Sequence, residues 1–257
     1  MAHPGQVRDR EAVGAFLERD RPWSGWALCS LGVNDWPHVR FWLGETDGTA
    51  LWAYDHPRWG GGVQTFGSGL ALEALVRAVP LPPRAFARLT SATRPVAETR
   101  YRLERLEPIV RMWVTPAALR PTPDAPPAEP VGLESSAELA RLYAGWPASH
   151  FSIRRLHEGY RYRGIRHRGV LVAVAENVLR STEHGLAIVQ GVYVEPRWRG
   201  RGLARAVTAA LTTHLFEEGA RDVVLDVRAE NQAALAAYTR LGFHRWGTYL
   251  GGPAVAK

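Results

Sequence analysis

The sequence predicts a mixed α/β layered fold, and three observations predict it. From Gly169 onward the hydrophobic pattern reads strand, strand, helix, strand, helix, strand, an order that layers helices on a mixed sheet. The chain has 257 residues, 46% of them hydrophobic, enough to fill a sizeable core. The third is a stretch with five prolines in eleven residues, Arg120 to Pro130, which blocks helix and reads as an extended connector. This gives an N-terminal α/β domain over 1–120, a linker over 121–130 and a second domain over 131–257.

Each element has a local reason. Arg10 to Arg19 reads as a helix. Trp26 to Leu31, His38 to Leu43 and Ala50 to Tyr54 are short apolar runs broken by Gly, Asp, Asn and Pro, and read as strands. Gly60 to Gly62 reads as a turn. Leu70 to Val79 has helical spacing and Ile109 to Val114 looks like a strand. In the second half Ala137 to Tyr143 reads as a helix, and Gly169 to Leu179 and Leu186 to Val194 as strands. Leu203, Val207, Leu211 and Leu215 repeat every four residues within a helix from Gly202 to Glu218, with Gly219 placed as its C-terminal cap. Asp222 to Val227 is a strand. Asn231 caps a helix running to Leu241, and Phe243 to Leu250 closes the fold as a strand.

The formal charge is +7, with fifteen bases against thirteen acids up to Ala125 and seventeen against twelve beyond it. A potential of that sign favours anionic partners without choosing among them. Lys257 is the only lysine. Cys29 is the single cysteine, so neither an internal disulfide nor a Cys-based metal site can be built, and no metal is expected. The first ten residues lack the apolar core of a signal peptide, and no run approaches the length of a membrane span, so the chain reads as cytoplasmic with no membrane partner. Six tryptophans between Trp23 and Trp59 could line a cleft, although packing explains them more simply. Arg154 to Arg168, rich in arginine with Tyr160 and Tyr162 interleaved, reads as a solvated face or a rim that steers an anion; no nucleic-acid motif accompanies it.

The chemistry sits at Val192-Tyr-Val-Glu-Pro-Arg-Trp-Arg-Gly-Arg-Gly-Leu-Ala-Arg205. A strand ends at Val194, Pro196 stops it, and a loop of Arg and Gly enters an amphipathic helix. Backbone N–H groups from Gly200 to Ala204 would converge there, with the positive end of the helix dipole behind them, on an anion such as a phosphate. Neither the Walker A pattern nor a dinucleotide fingerprint is present in this loop.

These residues resemble the GNAT superfamily of N-acetyltransferases, and within it the glycine N-acyltransferase-like subgroup. Arg199-Gly-Arg-Gly202-Leu-Ala204 meets the family's acyl-CoA loop signature, and Asn231, Tyr238 and Gly242-Phe243 meet its second element. The resemblance implies a mixed central sheet of the GNAT type in the C-terminal half, with an N-terminal domain that could be a degenerate copy. It also implies acetyl-CoA, or another acyl-CoA, as co-substrate. Arg199, Gly200, Arg201, Gly202, Leu203 and Ala204 would hold the pyrophosphate, Val192, Tyr193 and Val194 would pair with the pantetheine arm, and Asn231 would assist. The implied reaction is direct attack of a small-molecule or peptide amine on the thioester; a homodimer is open to it, and a non-catalytic acetyl-CoA sensor is the alternative.

Tyr238 is the candidate general acid for the departing thiolate. Glu176 is the candidate base: it ends the run Val170 to Ala175, where a carboxylate beside a buried strand can have a raised pKa, and it could equally begin a turn. His150, Glu183 and His184 are weaker candidates. Cys29 is not favoured as a nucleophile.

Overall fold

The computed structural model describes residues 5–46, 48–120, 122, 125–146 and 151–257. His150 and part of the proline-rich connector lie outside them. The chain forms two compact units: residues 1–110 with 228–230 and 247–257, and residues 111–227 with 231–246. The second begins ahead of the proline-rich stretch, and the first takes in the end of the chain.

The first unit opens with a short strand β1 (Gln6–Val7), then helices α1 (Arg10–Glu18) and α2 (Arg21–Cys29). Strands β2 (Val39–Leu43), β3 (Ala50–His56) and β4 (Gly60–Phe66) form an antiparallel meander. Helix α3 (Leu70–Ala78) leads to β5 (Arg84–Leu89), which pairs parallel to β4. Helix α4 (Arg94–Glu98), β6 (Tyr101–Leu103) and β7 (Glu107–Val114) follow. The second unit continues with β8 (Glu129–Pro130), α5 (Ser136–Ala144), α6 (Ile153–His157), β9 (Arg161–His167), β10 (Val170–Ser181) and β11 (Leu186–Val194). It ends with α7 (Leu203–Glu217), β12 (Asp222–Arg228), α8 (Gln232–Arg240) and the first residues of β13 (His244–Ala256).

The two units repeat one plan. In each, an antiparallel meander feeds a glycine-flanked helix and a strand parallel to the last strand of the meander: β4, α3, β5 in the first and β11, α7, β12 in the second. Strand order is β1-β2-β3-β4-β5-β13 in the first unit, with β6 also on β13, and β7-β12-β11-β10-β9-β8 in the second. The last strand of the chain thus completes the first sheet, pairing Leu250–Val255 with Arg84–Leu89. Strand β7, which precedes the connector, lies beside β12 in the second unit. The mixed α/β class expected from the sequence is the one observed.

Three local expectations are corrected. Trp26 to Leu31 is not a strand: Asp20 caps α2 by accepting from the Trp23 N–H, Pro22 suits the first turn, and Trp23, Ala27 and Leu28 are buried. Gly60 to Gly62 begins β4 and is no turn. The chain needs glycine there because a Cβ at Gly61 would collide with the Arg84 carbonyl and one at Gly62 would lie 2.9 Å from the Trp52 ring. Glu176 does not start a turn, since β10 runs on to Ser181. The stretch from Arg154 to Arg168, read as a solvated face or rim, lies on α6 and β9 with Arg154 and Arg168 exposed, Arg161 paired to Glu218 and Arg166 to Glu129 and Glu138.

Of the six clustered tryptophans, Trp23, Trp42 and Trp52 are buried and Trp59 is exposed, which favours packing over a cleft. Cys29 is buried. Leu203, Val207, Leu211 and Leu215 of α7 are all buried, as their spacing requires. Among the described residues no helix is long and apolar enough to cross a membrane, and no cluster of three His, Cys, Asp or Glu side chains could hold a metal.

The exchange of strands makes a specific prediction. A chain ending at Trp246 removes the six residues that pair with β5 and exposes the edge of Ala85, Ala87 and Leu89, all buried in the full chain. Limited proteolysis of that truncation should cut within residues 5–110 while the second unit persists. Equal resistance of both units would show that β13 is dispensable to the first.

Candidate functional site

Strands β11 and β12 run parallel but pair over only four positions, from Leu186 with Asp222 to Val189 with Leu225. Gln190 to Val194 and Asp226 to Arg228 lie outside that register, so the strands part and one edge of β11 is left without a strand partner there. On its other side β11 meets β10 through an irregularity: Val174 pairs with Tyr193 and Glu176 with Gln190, so two residues, Gly191 and Val192, stand opposite Ala175 alone. This is a β-bulge, a device that bends a strand and re-aims its groups. Gly191 takes φ +61°, which suits glycine.

Beyond Val194 the chain turns at Pro196–Trp198 and enters the loop. Gly200 and Gly202 have φ +76° and +77°, and Gly202 is the N-cap of α7, with no side chain capping the helix. Among the described residues, no acceptor is found for the backbone N–H groups of Gly200 to Ala204. A Cβ at Gly200 would meet nothing within 4 Å, and one at Gly202 would meet only the Arg205 guanidinium at 3.8 Å. The loop is an open concavity of N–H donors at a helix N-terminus, which fits a pyrophosphate. Arg205 is half-buried beside it, and among the described residues its Nε has no hydrogen-bond partner; nothing in the loop motif distinguishes this arginine from its neighbours. Arg199 instead donates from Nε to the Val194 carbonyl at 3.1 Å and braces the loop against the strand end. Arg201 stacks on Trp198, 4.6 Å from the ring centre.

Tyr193 points its ring into the fold and donates to the Gly145 carbonyl at 2.9 Å, so only its backbone faces the opening strand edge. Asn231 accepts from the Ala234 N–H at 3.1 Å, the capping role read from the sequence. Tyr238 is buried on α8 with its ring 6.0 Å from Phe243, and no hydrogen-bond partner for its hydroxyl is found among the described residues. Burial raises its pKa above the ordinary value near 10, so the phenol stays protonated at neutral pH.

Glu176 is buried, with its carboxylate 2.8 Å from the Arg155 guanidinium. Burial opposes the Arg155 charge, and the charge and hydrogen bond of Glu176 outweigh it, raising the guanidinium pKa. Tyr143 and Tyr162 stand beside this pair, and burial first and Glu176 second push both phenols up. A Cβ at Gly191 would lie 2.6 Å from Glu176 Oε2 and 2.9 Å from the Tyr143 hydroxyl, so the carboxylate abuts the bulge of β11. The sequence placed Glu176 on a buried strand; Arg155, Tyr143 and Tyr162 were missed because no spacing joins them to it. Glu183 and His184 lie instead in the β10–β11 turn, where the His184 N–H donates to Ser181.

A second charged pair is buried where the strands part. Arg111 of β7, with no exposed surface, donates from Nε and Nη2 to the two carboxylate oxygens of Asp226, each at 2.8 Å. Asp226 is the first residue of β12 beyond the paired register.

Parted parallel strands beside an open glycine loop are the geometry that the sequence resemblance implies, and residues 128–243 match the acetyltransferase (GNAT) family. The chain carries a GNAT-family acetyltransferase domain. A mycothiol acetyltransferase of Kocuria rhizophila is 51% identical over 61 residues, 24% of this chain and 20% of its own length. An aminoglycoside N(6')-acetyltransferase type 1 of Stenotrophomonas maltophilia is 33% identical over 73 residues, 28% of this chain and 48% of its own. The chain therefore spans about a fifth of the mycothiol enzyme that it matches. Among solved structures, a GCN5-related N-acetyltransferase of Kribbella flavida has a TM-score of 0.59 at 19% identity, covering 92% of this chain and 94% of that one. A Drosophila protein reaches 0.71 at 14% identity, covering 98% and 97%. These last two likenesses concern fold, and they extend over the N-terminal region as well as the GNAT domain.

The open loop of the GNAT domain gives a test. Gly202→Val has room for its side chain but not for the left-handed backbone, a cost of about 1–2 kcal/mol that the fold can absorb. Calorimetry on the folded variant should show acetyl-CoA affinity reduced at least tenfold, about 1.4 kcal/mol. Unchanged affinity would remove this loop from cofactor binding.

Proposed function

We propose that the protein transfers an acetyl group from acetyl-CoA to the primary amine of a small molecule, by direct attack with both substrates bound. The observation that carries this reading is that β11 loses its partner strand and, after one turn at Pro196–Trp198, leads into the open N–H concavity of α7. When bound, acetyl-CoA supplies an activated thioester and a pyrophosphate handle. Gly200, Arg201, Gly202, Leu203 and Ala204 would hold the pyrophosphate through their backbone, Arg199 would brace the loop, and Arg205 would add charge. The free edge from Val192 to Val194 would pair with the amide-bearing arm in the manner of an added strand. Asn231 supports the site by capping α8 and so fixing the turn that carries Tyr238.

Three tasks remain for the side chains. The reacting amine must be oriented and lose a proton, and the departing sulfur must gain one. Tyr238 would deliver a proton from its hydroxyl to the sulfur. Glu176 would draw the proton from the amine; its position against the bulge supports that role. The aminoglycoside enzyme among the relatives acts on a small-molecule amine by name, which supports an acceptor of that class. Amino acids, which the resemblance read from the sequence would imply, are a second group to try, and a peptide amine is a third. We place the reaction in the cytoplasm.

Release of free thiol from acetyl-CoA across a panel of aminoglycosides, amino sugars, amino acids and short peptides tests the reading. Tight acetyl-CoA binding with no turnover on any amine would favour a sensor. Tyr238→Phe keeps the ring packing and removes the proton donor. With an accepted amine, its turnover should fall by about 10²-fold, the lower end for a general acid because a thiolate leaves easily, at unchanged acetyl-CoA affinity. Full turnover would eliminate Tyr238 as the acid. Glu176→Gln should lower kcat at unchanged acetyl-CoA affinity; an unchanged kcat would return the base role to solvent.

A further inference from the structure

The hairpin of β9 and β10 turns through two residues, Arg168 and Gly169, and both have left-handed backbone, with φ of +48° and +79°. Such a turn suits Asn-Gly, because an ordinary side chain is strained in that conformation. This chain keeps an arginine there, with its side chain exposed. Beside it the His167 ring centre lies 4.2 Å from that of Trp198, and the Arg201 guanidinium lies over the Trp198 ring at 4.6 Å. The Trp198 indole N–H is shut off from water and has no acceptor among the described residues. Two local rules are thus broken in one small cluster, by a left-handed arginine and by an orphan indole donor, and such violations gather where function is built.

The charge of this cluster is not compensated. Arg161 and Arg166 of the same hairpin are paired with Glu218, Glu129 and Glu138, whereas no carboxylate among the described residues pairs with Arg168 or Arg201. Arg201 also joins the cluster to the open loop: its backbone N–H belongs to the concavity ahead of α7, while its guanidinium turns back onto Trp198. A second anionic group on a ligand anchored in that concavity would meet these cations within the reach of one side chain. Coenzyme A carries such a group, since besides its pyrophosphate it has a phosphomonoester on the ribose, with about two negative charges at neutral pH.

We propose that Arg168 and Arg201, braced by His167 and Trp198, bind the 3′-phosphate of the coenzyme A ribose and so select coenzyme A over its dephosphorylated form. This rests on the proposed seating of the pyrophosphate in the loop. The strain at Arg168 then has a use, because it sets a guanidinium at the hairpin tip, where Asn or Gly would leave none.

Acetyl-CoA and acetyl-dephospho-CoA differ only in that phosphate. By calorimetry the native protein should prefer acetyl-CoA by about tenfold, the scale of charge-assisted hydrogen bonds to one phosphate. Arg168→Asn keeps a residue suited to the left-handed turn and removes the charge. The preference should then fall about threefold, as fits an exposed cation, with affinity for the dephosphorylated ligand within about twofold of native and no loss of melting temperature. Adding Arg201→Gln should remove the preference that is left. A preference that is absent from the native protein, unchanged in Arg168→Asn or intact in the double variant overturns the proposal while leaving cofactor binding in place. A lower melting temperature of Arg168→Asn would make the arginine part of the fold and overturn its role here. Failure of the native protein to bind either ligand overturns the cofactor reading and the proposal with it.

Discussion

Parallel strands joined through a helix share their backbone hydrogen bonds along the length over which they run side by side, and between β11 and β12 that sharing stops after four residue pairs. Every strand group past that point needs another partner, from water, a side chain or a ligand. The rest of the site is arranged around this parting. On the far side of β11 the bulge at Gly191 and Val192 breaks the ladder with β10, so the same short segment is released on both edges. Tyr143 and Tyr193 keep it from collapsing by tying it to the end of α5. The strand then passes into the loop at Gly200 and Gly202, so the unpaired edge and the open N–H groups form one continuous stretch of backbone.

Charge is placed to keep this opening rigid. Glu176 and Arg155 compensate one another beside the bulge, and Arg111 and Asp226 do so where β12 leaves the register. A buried pair of this kind adds little net stability against a well-packed apolar alternative, yet losing one partner leaves a stranded charge at a cost of about 3–5 kcal/mol. The bidentate geometry of Arg111 adds direction, because two parallel hydrogen bonds fix the carboxylate plane as well as its distance.

The sequence was most legible where function and periodicity coincide. The spacing of Leu203, Val207, Leu211 and Leu215 located α7, Asn231 located the start of α8, and glycines between a strand and a helix located the loop, because each of these is a local rule of backbone or burial. Four things escaped for physical reasons. Trp26 to Leu31 has a strand-like composition, but the cap at Asp20 and the burial of Trp23 decided for helix. Gly60 to Gly62 look like a turn, and their real reason is the close approach of Trp52 and the chain at Arg84. The partners of Glu176 come from a helix and a strand at no fixed spacing. Arg111 lies 115 residues from Asp226, on a strand that composition assigns to the other side of the proline-rich stretch.

The first unit supplies an internal control on what makes such a loop a site. Between β4 and α3 it repeats the same backbone device, with Gly67 and Gly69 at φ +71° and +81° and Gly69 as an uncapped N-cap. Helix dipole and free N–H groups are therefore alike in the two copies. The surroundings differ. A Cβ at Gly67 would lie 2.8 Å from the Thr49 hydroxyl and 2.9 Å from the Gly48 carbonyl, so this glycine makes room for the turn between β2 and β3. At Gly200 the same position faces nothing within 4 Å. The two N-cap glycines are both open, Gly69 with nothing within 4 Å, so the difference is confined to Gly67, which makes room for a turn where Gly200 is clear. What sets the second loop apart is the half-buried Arg205 guanidinium beside its N-cap, which has no counterpart near Gly69, so glycines at a helix start do not by themselves make an anion site.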